Sequence, residues 1–460
     1  MDVEPDDVEP NQPDNDATNG SPWTLDEPFP SSWVVFWPHQ EAPTREEIGS
    51  AFAAWLGRDI DAQSPENEED SVLWVMAFTL DGVDAPAVVW AESAIPVQDE
   101  EGLQAIRDCK WVVRMQVVLP QSEPHEAYFR AVSLLAGALG DVAGILDAVT
   151  GQFMPRETLE TGFLLPEAKP HERWLWRVGG VGVAGEEANE ERPTLLFTTG
   201  LWRCGRPELE LMEIPAKHVR AGLILIDAMA GLLLEGDMPE VGEKLEVGPG
   251  LEVCLQPWQE VAVTAPDGAP GSNSFRAAAR SEEGFSPLLG VRAVVCHPEP
   301  VGEFKKVWTW PAQVIAALET GHAALFATEH AIDATAARAR SHFDVFATAF
   351  ASLRRSDDAA HQALVQSAFQ VQAPLEGGTD PDRVEQAWFI VRKFEGDSLD
   401  TVLLDQPHSR PDLGQGSSVR VAVANITDWR VELPEGDLSS ELWTELLPAV
   451  DRLRRRCWMT

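Results

Sequence analysis

Apolar and polar positions alternate along this chain with periods that change several times, and those changes predict its elements. An apolar run at 33–37 reads as a buried strand. A helix then begins at Thr44, placed as N-cap with Glu47 at the capping-box position, and Ile48, Phe52 and Trp55 form its apolar stripe. Strand-like runs follow at 72–80, 85–90 and 111–119, and 124–139 reads as a helix. Further on, 193–202 and 208–214 read as strands around a turn at 203–207. The stretch 217–234 is apolar nearly all round and is expected to be a buried helix. Additional strands are expected within 247–263 and 288–295, with an exposed Pro- and Gly-rich connection at 266–274.

The cleanest periodicity lies at Ile332, Ala336, Ala339, Phe343, Phe346, Phe350 and Leu353. Steps of four and three residues put them on one stripe of a helix of about six turns. The stripe suits either a sheet-covering core face or a dimerising seam; small Ala residues and a length of only about three heptads favour the core. Period-two patterns follow at 388–392, 419–424 and 429–433, joined by Gly-, Pro- and Asp-containing loops. They predict a small antiparallel sheet or half-open barrel. A last helix starts near Ser439 or Ser440, with Leu442, Leu446, Val450 and Leu453 on one face.

The fold class expected is therefore α+β. A mixed-sheet α+β region spans 31–310, divisible into 31–150 and 151–310. It is followed over 320–460 by an antiparallel-sheet module packed on a long helix. Residues 1–30, rich in Asp, Asn and Pro, read as a disordered acidic tail whose end Trp23 and Phe29 can tack to the body.

Charge narrows the function classes. The chain carries 75 acids against 35 bases, a formal charge of −40. The first thirty residues hold nine acids and no base, which leaves 31 of the 40 negative charges in the remainder. Such a field repels phosphate backbones and anionic lipid and attracts cationic partners, so nucleic acid and membrane are not expected as partners. Seventeen Trp against one Tyr supply large apolar surfaces, each with an N–H that needs an acceptor. Five scattered cysteines argue against a disulfide framework and a zinc knuckle. The start MDVEPDDVEP has no basic or apolar region of a secretory signal, and the apolar stretch 221–234 is too short to span a bilayer. A reducing, cytoplasmic setting is the expectation.

Two stretches carry family resemblances. The region 327–433 resembles a YegJ-like bacterial domain of unknown function. The resemblance rests on EQAW at 385–388 with Trp388, on DTVLLDQP at 400–407 with Pro407, on Gly416, and on Asp428-Trp429. Gln386, Asp400 and Asp405 stand where that family type has His, Gly and Asn. The stretch TTGLWRCGRPELEL at 198–211, with Pro257 and Trp258 downstream, resembles a second bacterial domain of unknown function that often precedes the first. Neither resemblance implies a mechanism.

Candidate chemistry is sparse. GVGVAG at 180–185 fits a dinucleotide-binding fingerprint, but the acidic, Pro-terminated EEANEERP after it cannot open a phosphate-holding helix. His322, His330 and His342 are not spaced as a helical metal pair, and Cys296-His297 reads as a buried thiol beside a surface imidazole. The acids after the 203–207 turn stand out. Glu208 and Glu210 share one face of a strand, with Glu213 beyond them. They can take a cation or a basic group of a partner, or pair with Arg203 or Arg206. No cofactor or metal is expected. The leading expectation is a non-enzymatic protein that binds a basic partner in an immunity-like or adaptor role. Alternatives are a carboxylate- or metal-dependent enzyme using Glu208 and Glu210, and an acidic nucleic-acid mimic.

Overall fold

The computed structural model describes residues 22–23, 25, 29–63, 71–94, 104–165, 168–182, 191–281, 290–302, 307–320, 325–355, 362, 364–375, 385–407, 410, 412–434 and 436–457. Most of the expected acidic tail, and His322, lie outside them. Among the described residues there are three six-stranded sheets, none closed into a barrel, and helices pack on each, so the fold is α+β.

The first sheet runs Val72–Phe78, Ala87–Ser93, Trp111–Val117, Ser31–Trp37, Gly144–Asp147, Gln152–Pro155, and each neighbouring pair is antiparallel. The apolar run at 33–37 lies on a central strand and is buried throughout, which is why it does not alternate. The helix Arg45–Leu56 begins as its sequence predicts. Glu47 N donates to Thr44 Oγ1 at 3.2 Å and Thr44 N to Glu47 Oε2 at 3.5 Å, satisfying two N-terminal donors. Ile48 and Phe52 are buried, but Trp55 is half exposed. Its ring covers Gly137 of the helix Pro124–Leu139 so closely that a Cβ there would lie 2.3 Å from it.

The second sheet runs Leu245–Gly248, Leu251–Pro257, Arg292–Cys296, Glu208–Pro215, Pro193–Thr199, Arg177–Gly182. It is mixed: Arg292–Cys296 runs parallel to Glu208–Pro215 and antiparallel to Leu251–Pro257. Gly180 and Gly182 belong to an extended strand at the edge of this sheet, not to a strand-to-helix turn; residues 183–190 lie outside the description. The helix Val219–Glu235 departs from the expectation of complete burial. Gly222 rests on Leu196 and Ile214 of the sheet, and Leu225, Ile226 and Met229 are buried. Leu223 and Ile224, on the opposite side, are 36% and 47% exposed. A helix lying on one sheet buries one face, whatever the composition of the other.

The third sheet runs Ser418–Ala422, Ser398–Leu403, Glu385–Glu395, Phe369–Leu375, Asp428–Leu433, Gly436–Ser439, with each neighbouring pair antiparallel. The apolar stripe covers it: Ala339, Phe343, Phe346, Phe350 and Leu353 share a core with Phe369, Phe389 and Trp429. The stripe thus packs internally. It is carried by two helices, Glu329–Ser341 and Phe343–Arg354, not by one, because His342 leaves helical geometry at φ −112° and ψ 18°. The His342 ring stacks on Trp443 at 4.0 Å, at the start of the last helix Trp443–Cys457.

Trp429 is fully buried, donates its indole N–H to Ala339 O at 3.0 Å and meets the Phe346 ring at 5.3 Å. Trp429→Ala should therefore lower stability by about 3–5 kcal/mol. Urea unfolding followed by circular dichroism tests this, and a loss below about 1 kcal/mol would remove Trp429 from the centre of this core.

By internal packing the chain forms two units. One contains Val178–Met229 and Gly236–Leu325 with residues up to Pro28; the other contains Phe29–Arg177, Ala230–Glu235 and Phe326–Thr460. In the first, Trp23 is buried and donates its indole N–H to Pro239 O at 2.9 Å, so this residue does tack the N-terminal stretch to the body. Phe29 is 44% exposed. Among the described residues no helix is long and apolar enough to cross a membrane.

Candidate functional site

The stretch 198–211 folds back on itself. Thr199 ends one strand, Gly200 turns at φ 122°, a 3-10 turn covers Leu201–Cys204, and Gly205 closes it at φ 73°. Both φ values are open to glycine at no steric cost. The reversal sets the Glu208 carboxylate beneath its own turn. There it accepts from Thr198 Oγ1 at 2.6 Å and from the N–H groups of Gly200 at 2.5 Å and Trp202 at 3.4 Å. Thr198 Oγ1 in turn accepts from Leu209 N at 2.7 Å. Burial pushes the Glu208 carboxyl up, opposed by Arg292 and by these hydrogen bonds.

Glu210, two residues on and on the same face, is fully buried between two arginines. Arg276 Nη1 donates to its Oε1 at 3.1 Å and Arg276 Nη2 to its Oε2, while Arg292 Nε donates to Oε1. Each guanidinium has further support. Arg276 Nε donates to Gly271 O at 2.9 Å and the group lies 4.4 Å from the Trp258 ring centre; Arg292 Nη2 donates to Thr198 O at 3.2 Å. The expected partners Arg203 and Arg206 sit elsewhere in the turn. Arg203 is buried, and Arg206 donates to Gly236 O at 3.1 Å. Glu208 and Glu210 thus share a face and a neighbourhood, but their oxygens are committed within the fold.

Glu213 is different. Between the pairs Thr194–Ile214 and Leu196–Leu211 the register slips, so Met212 and Glu213 together oppose Leu195 in a bulge. Glu213 is the one non-glycine residue with positive φ, 57°, among the described residues. That conformation is strained for a side chain of this size, and such strain concentrates at functional positions. Burial pushes its carboxyl up, with no hydrogen bond or ion pair from the described residues to oppose it. It lines a cleft of about 270 Å³, counting the part open to solvent, together with Met212, Thr264, Cys296, Trp308 and Trp310. The Trp310 ring is held from one side by His218 at 5.4 Å, whose Nδ1 meets Glu319 Oε1.

The motif residues of the third sheet serve packing and turns. The Arg430 guanidinium lies 4.4 Å from the Trp388 ring centre and its Nε donates to Gln370 Oε1 at 2.8 Å. Asp428 Oδ1 accepts from Trp429 N and Ser440 Oγ, both at 2.7 Å, fixing the turn into the last helix. Pro407 is buried, and Gln386 Oε1 accepts from Thr427 Oγ1 at 2.9 Å. These residues lie in a different unit from Glu208, Glu210 and Glu213.

Sequence spacing gave no sign of one further cluster. The rings of His125 and His330, remote in sequence, meet at 4.0 Å beside His171 and Glu172. Glu172 is buried; its Oε1 accepts from Thr328 Oγ1, the N-cap of the helix Glu329–Ser341, and its Oε2 has no hydrogen-bond partner among the described residues. His171 Nδ1 lies 3.6 Å from that oxygen and accepts from Arg173 N at 3.1 Å. Burial pushes the Glu172 carboxyl up and lowers the pKa of His125 and of His171, the latter to about 4. Among the described residues no group of His, Cys, Asp or Glu is arranged to hold a metal ion. Cys296 is buried beside Cys254, and burial pushes its thiol well up.

Residues 182–286 match the family model described as the C-terminal part of a protein of unknown function, DUF4026. Residues 329–435 match the model described as an uncharacterized protein conserved in bacteria, DUF2314. The first span includes Glu208, Glu210 and Arg276 but ends before Arg292, and the second covers most of the third sheet. No curated protein and no solved structure matches the chain.

Proposed function

We propose that this protein works by binding a basic protein, in an immunity-like or adaptor role in a bacterial cytoplasm. The observation that carries the reading is the charge: of 40 net negative charges, 31 lie beyond the first thirty residues. A surface of one sign steers and selects partners of the opposite sign. The commitment of Glu208 and Glu210 to internal bonds supports binding over carboxylate catalysis by that pair.

The test is capture from native lysate on the immobilised full-length chain, followed by mass spectrometry and a salt titration. A stoichiometric basic partner released by salt and indifferent to added DNA is the expected result. Absence of any stoichiometric, salt-sensitive partner would overturn the reading. Displacement of the partner by DNA would replace it with nucleic-acid mimicry.

A further inference from the structure

We infer that the cleft formed by Glu213, Trp308 and Trp310 is a binding site for a single alkylammonium group, the side chain of a lysine on a protein partner. The identity of the lysine's owner rests on the binding function proposed above; the chemistry of the cleft does not.

Three observations point to a cation. A half-buried carboxylate costs free energy unless an opposite charge or hydrogen bonds compensate it, and Glu213 has neither from the described residues. By contrast, Glu208 and Glu210, on the same strand, are fully supplied with donors. Next, two indoles share the cleft with it, and an indole face attracts a cation through its quadrupole. A carboxylate beside aromatic faces complements an ammonium on an apolar stem: the charge meets the carboxylate while the methylenes lie on the rings. Finally, the backbone holds this carboxylate where it is. A bulge residue at φ 57° is displaced from the regular alternation of the strand, and a bulge commonly re-aims a side chain next to a binding site.

Size restricts the ligand. The space within the cleft that excludes open solvent is at the lower limit for one water molecule. An ammonium head is the cationic side-chain group nearest that size, and a planar guanidinium is larger. His218, itself paired with Glu319, packs on the Trp310 ring, so the indole is positioned before any ligand arrives.

The experiment titrates the full-length protein with Nα-acetyl-lysine methylamide and, separately, with its uncharged norleucine counterpart. Indole N–H resonances are followed by NMR, with Trp308 and Trp310 assigned from their Phe variants. The inference expects saturable shifts of those two resonances with the lysine compound alone. Affinity should fall about tenfold or more in Glu213→Gln, the loss of one charge-assisted contact. No shift with the lysine compound, or equal shifts with norleucine, would overturn it without recourse to any variant. Undiminished affinity in a folded Glu213→Gln protein would also overturn it. Because the probe needs no partner, lysine binding without a captured partner defeats only the proposed function. A captured partner whose binding ignores the lysine compound defeats only this site.

Discussion

Replacing Glu210 with leucine is expected to destabilise the unit containing the second sheet by about 3–5 kcal/mol. The Arg276 and Arg292 side chains around it are 4% and 1% exposed, and Glu210 itself is fully buried. Taking away the carboxylate leaves two guanidinium groups sharing a dry site, where Arg276 loses two charge-assisted bonds, Arg292 loses one, and each repels the other. Neither can reach water without moving its strand or helix, since Arg292 lies in the sheet and Arg276 in the helix Asn273–Ser281. Urea unfolding of the full-length protein, read as the midpoint of that unit's transition, gives the number. A loss under about 1 kcal/mol would mean that water or a rearranged acid replaces Glu210. The triple variant Glu210→Leu, Arg276→Met, Arg292→Met separates the two components of the effect. Removing all three charges leaves none of them buried alone; Glu208 loses the opposing charge of Arg292 but keeps its hydrogen bonds from Thr198, Gly200 and Trp202, so the triple variant should recover part of the stability lost by the single change. If the triple variant is as unstable as the single one, the network matters for its directional bonds, not for charge balance.

How much of this was legible beforehand depends on the range of the interaction involved. Thr44 and Glu47 sit three residues apart, so their reciprocal bonds could be read directly from the chain. The same holds for the run at 33–37 and for the stripe from Ile332 to Leu353, whose spacing encodes a face and whose members from Ala339 onward join the core of the third sheet. The break at His342 was not legible; its ring stacks on Trp443, which only tertiary packing brings beside it. Likewise, the sequence marks Glu208 and Glu210 as neighbours on one face but cannot say that Arg276 and Arg292 will reach Glu210. It offered the nearby Arg203 and Arg206 instead. Glu213 was visible as an acid and invisible as a strained bulge residue, since register slippage is a property of paired strands. The His125–His330 contact is the extreme case: neither residue has a local pattern, and only tertiary packing brings the rings together.

That contact leads to the other large expected effect, a loss of stability in mild acid that traces to His171. In the folded chain burial is the first cause lowering its pKa, followed by the nearby Arg338 and Arg173, to about 4, against about 6.5 when unfolded. A basic group with a depressed folded pKa binds its proton more readily in the unfolded state. Above about pH 6.5 neither state is charged and the group is neutral to stability. Between about 6.5 and 4 only the unfolded chain takes the proton, and stability falls by about 3 kcal/mol over that window. His125 acts in the same direction, lowered by burial and by His330 and partly offset by Glu126 and Glu123. Glu172 acts oppositely. Its folded pKa is raised, so its contribution is fully present below its unfolded value and is lost as pH rises through the folded one. Global acidity also opposes the loss, because protonating exposed carboxylates relieves self-repulsion in so negative a chain. The informative quantity is therefore the difference between the natural protein and His171→Asn. Asparagine can accept from Arg173 N as His171 Nδ1 does, but it cannot titrate. Unfolding free energies measured at pH 7.5, 6, 5 and 4 should show the His171→Asn protein losing about 3 kcal/mol less across the acid window. Parallel curves would mean that His171 is solvated in solution and that the Glu172 oxygen facing it is not held in a dry site.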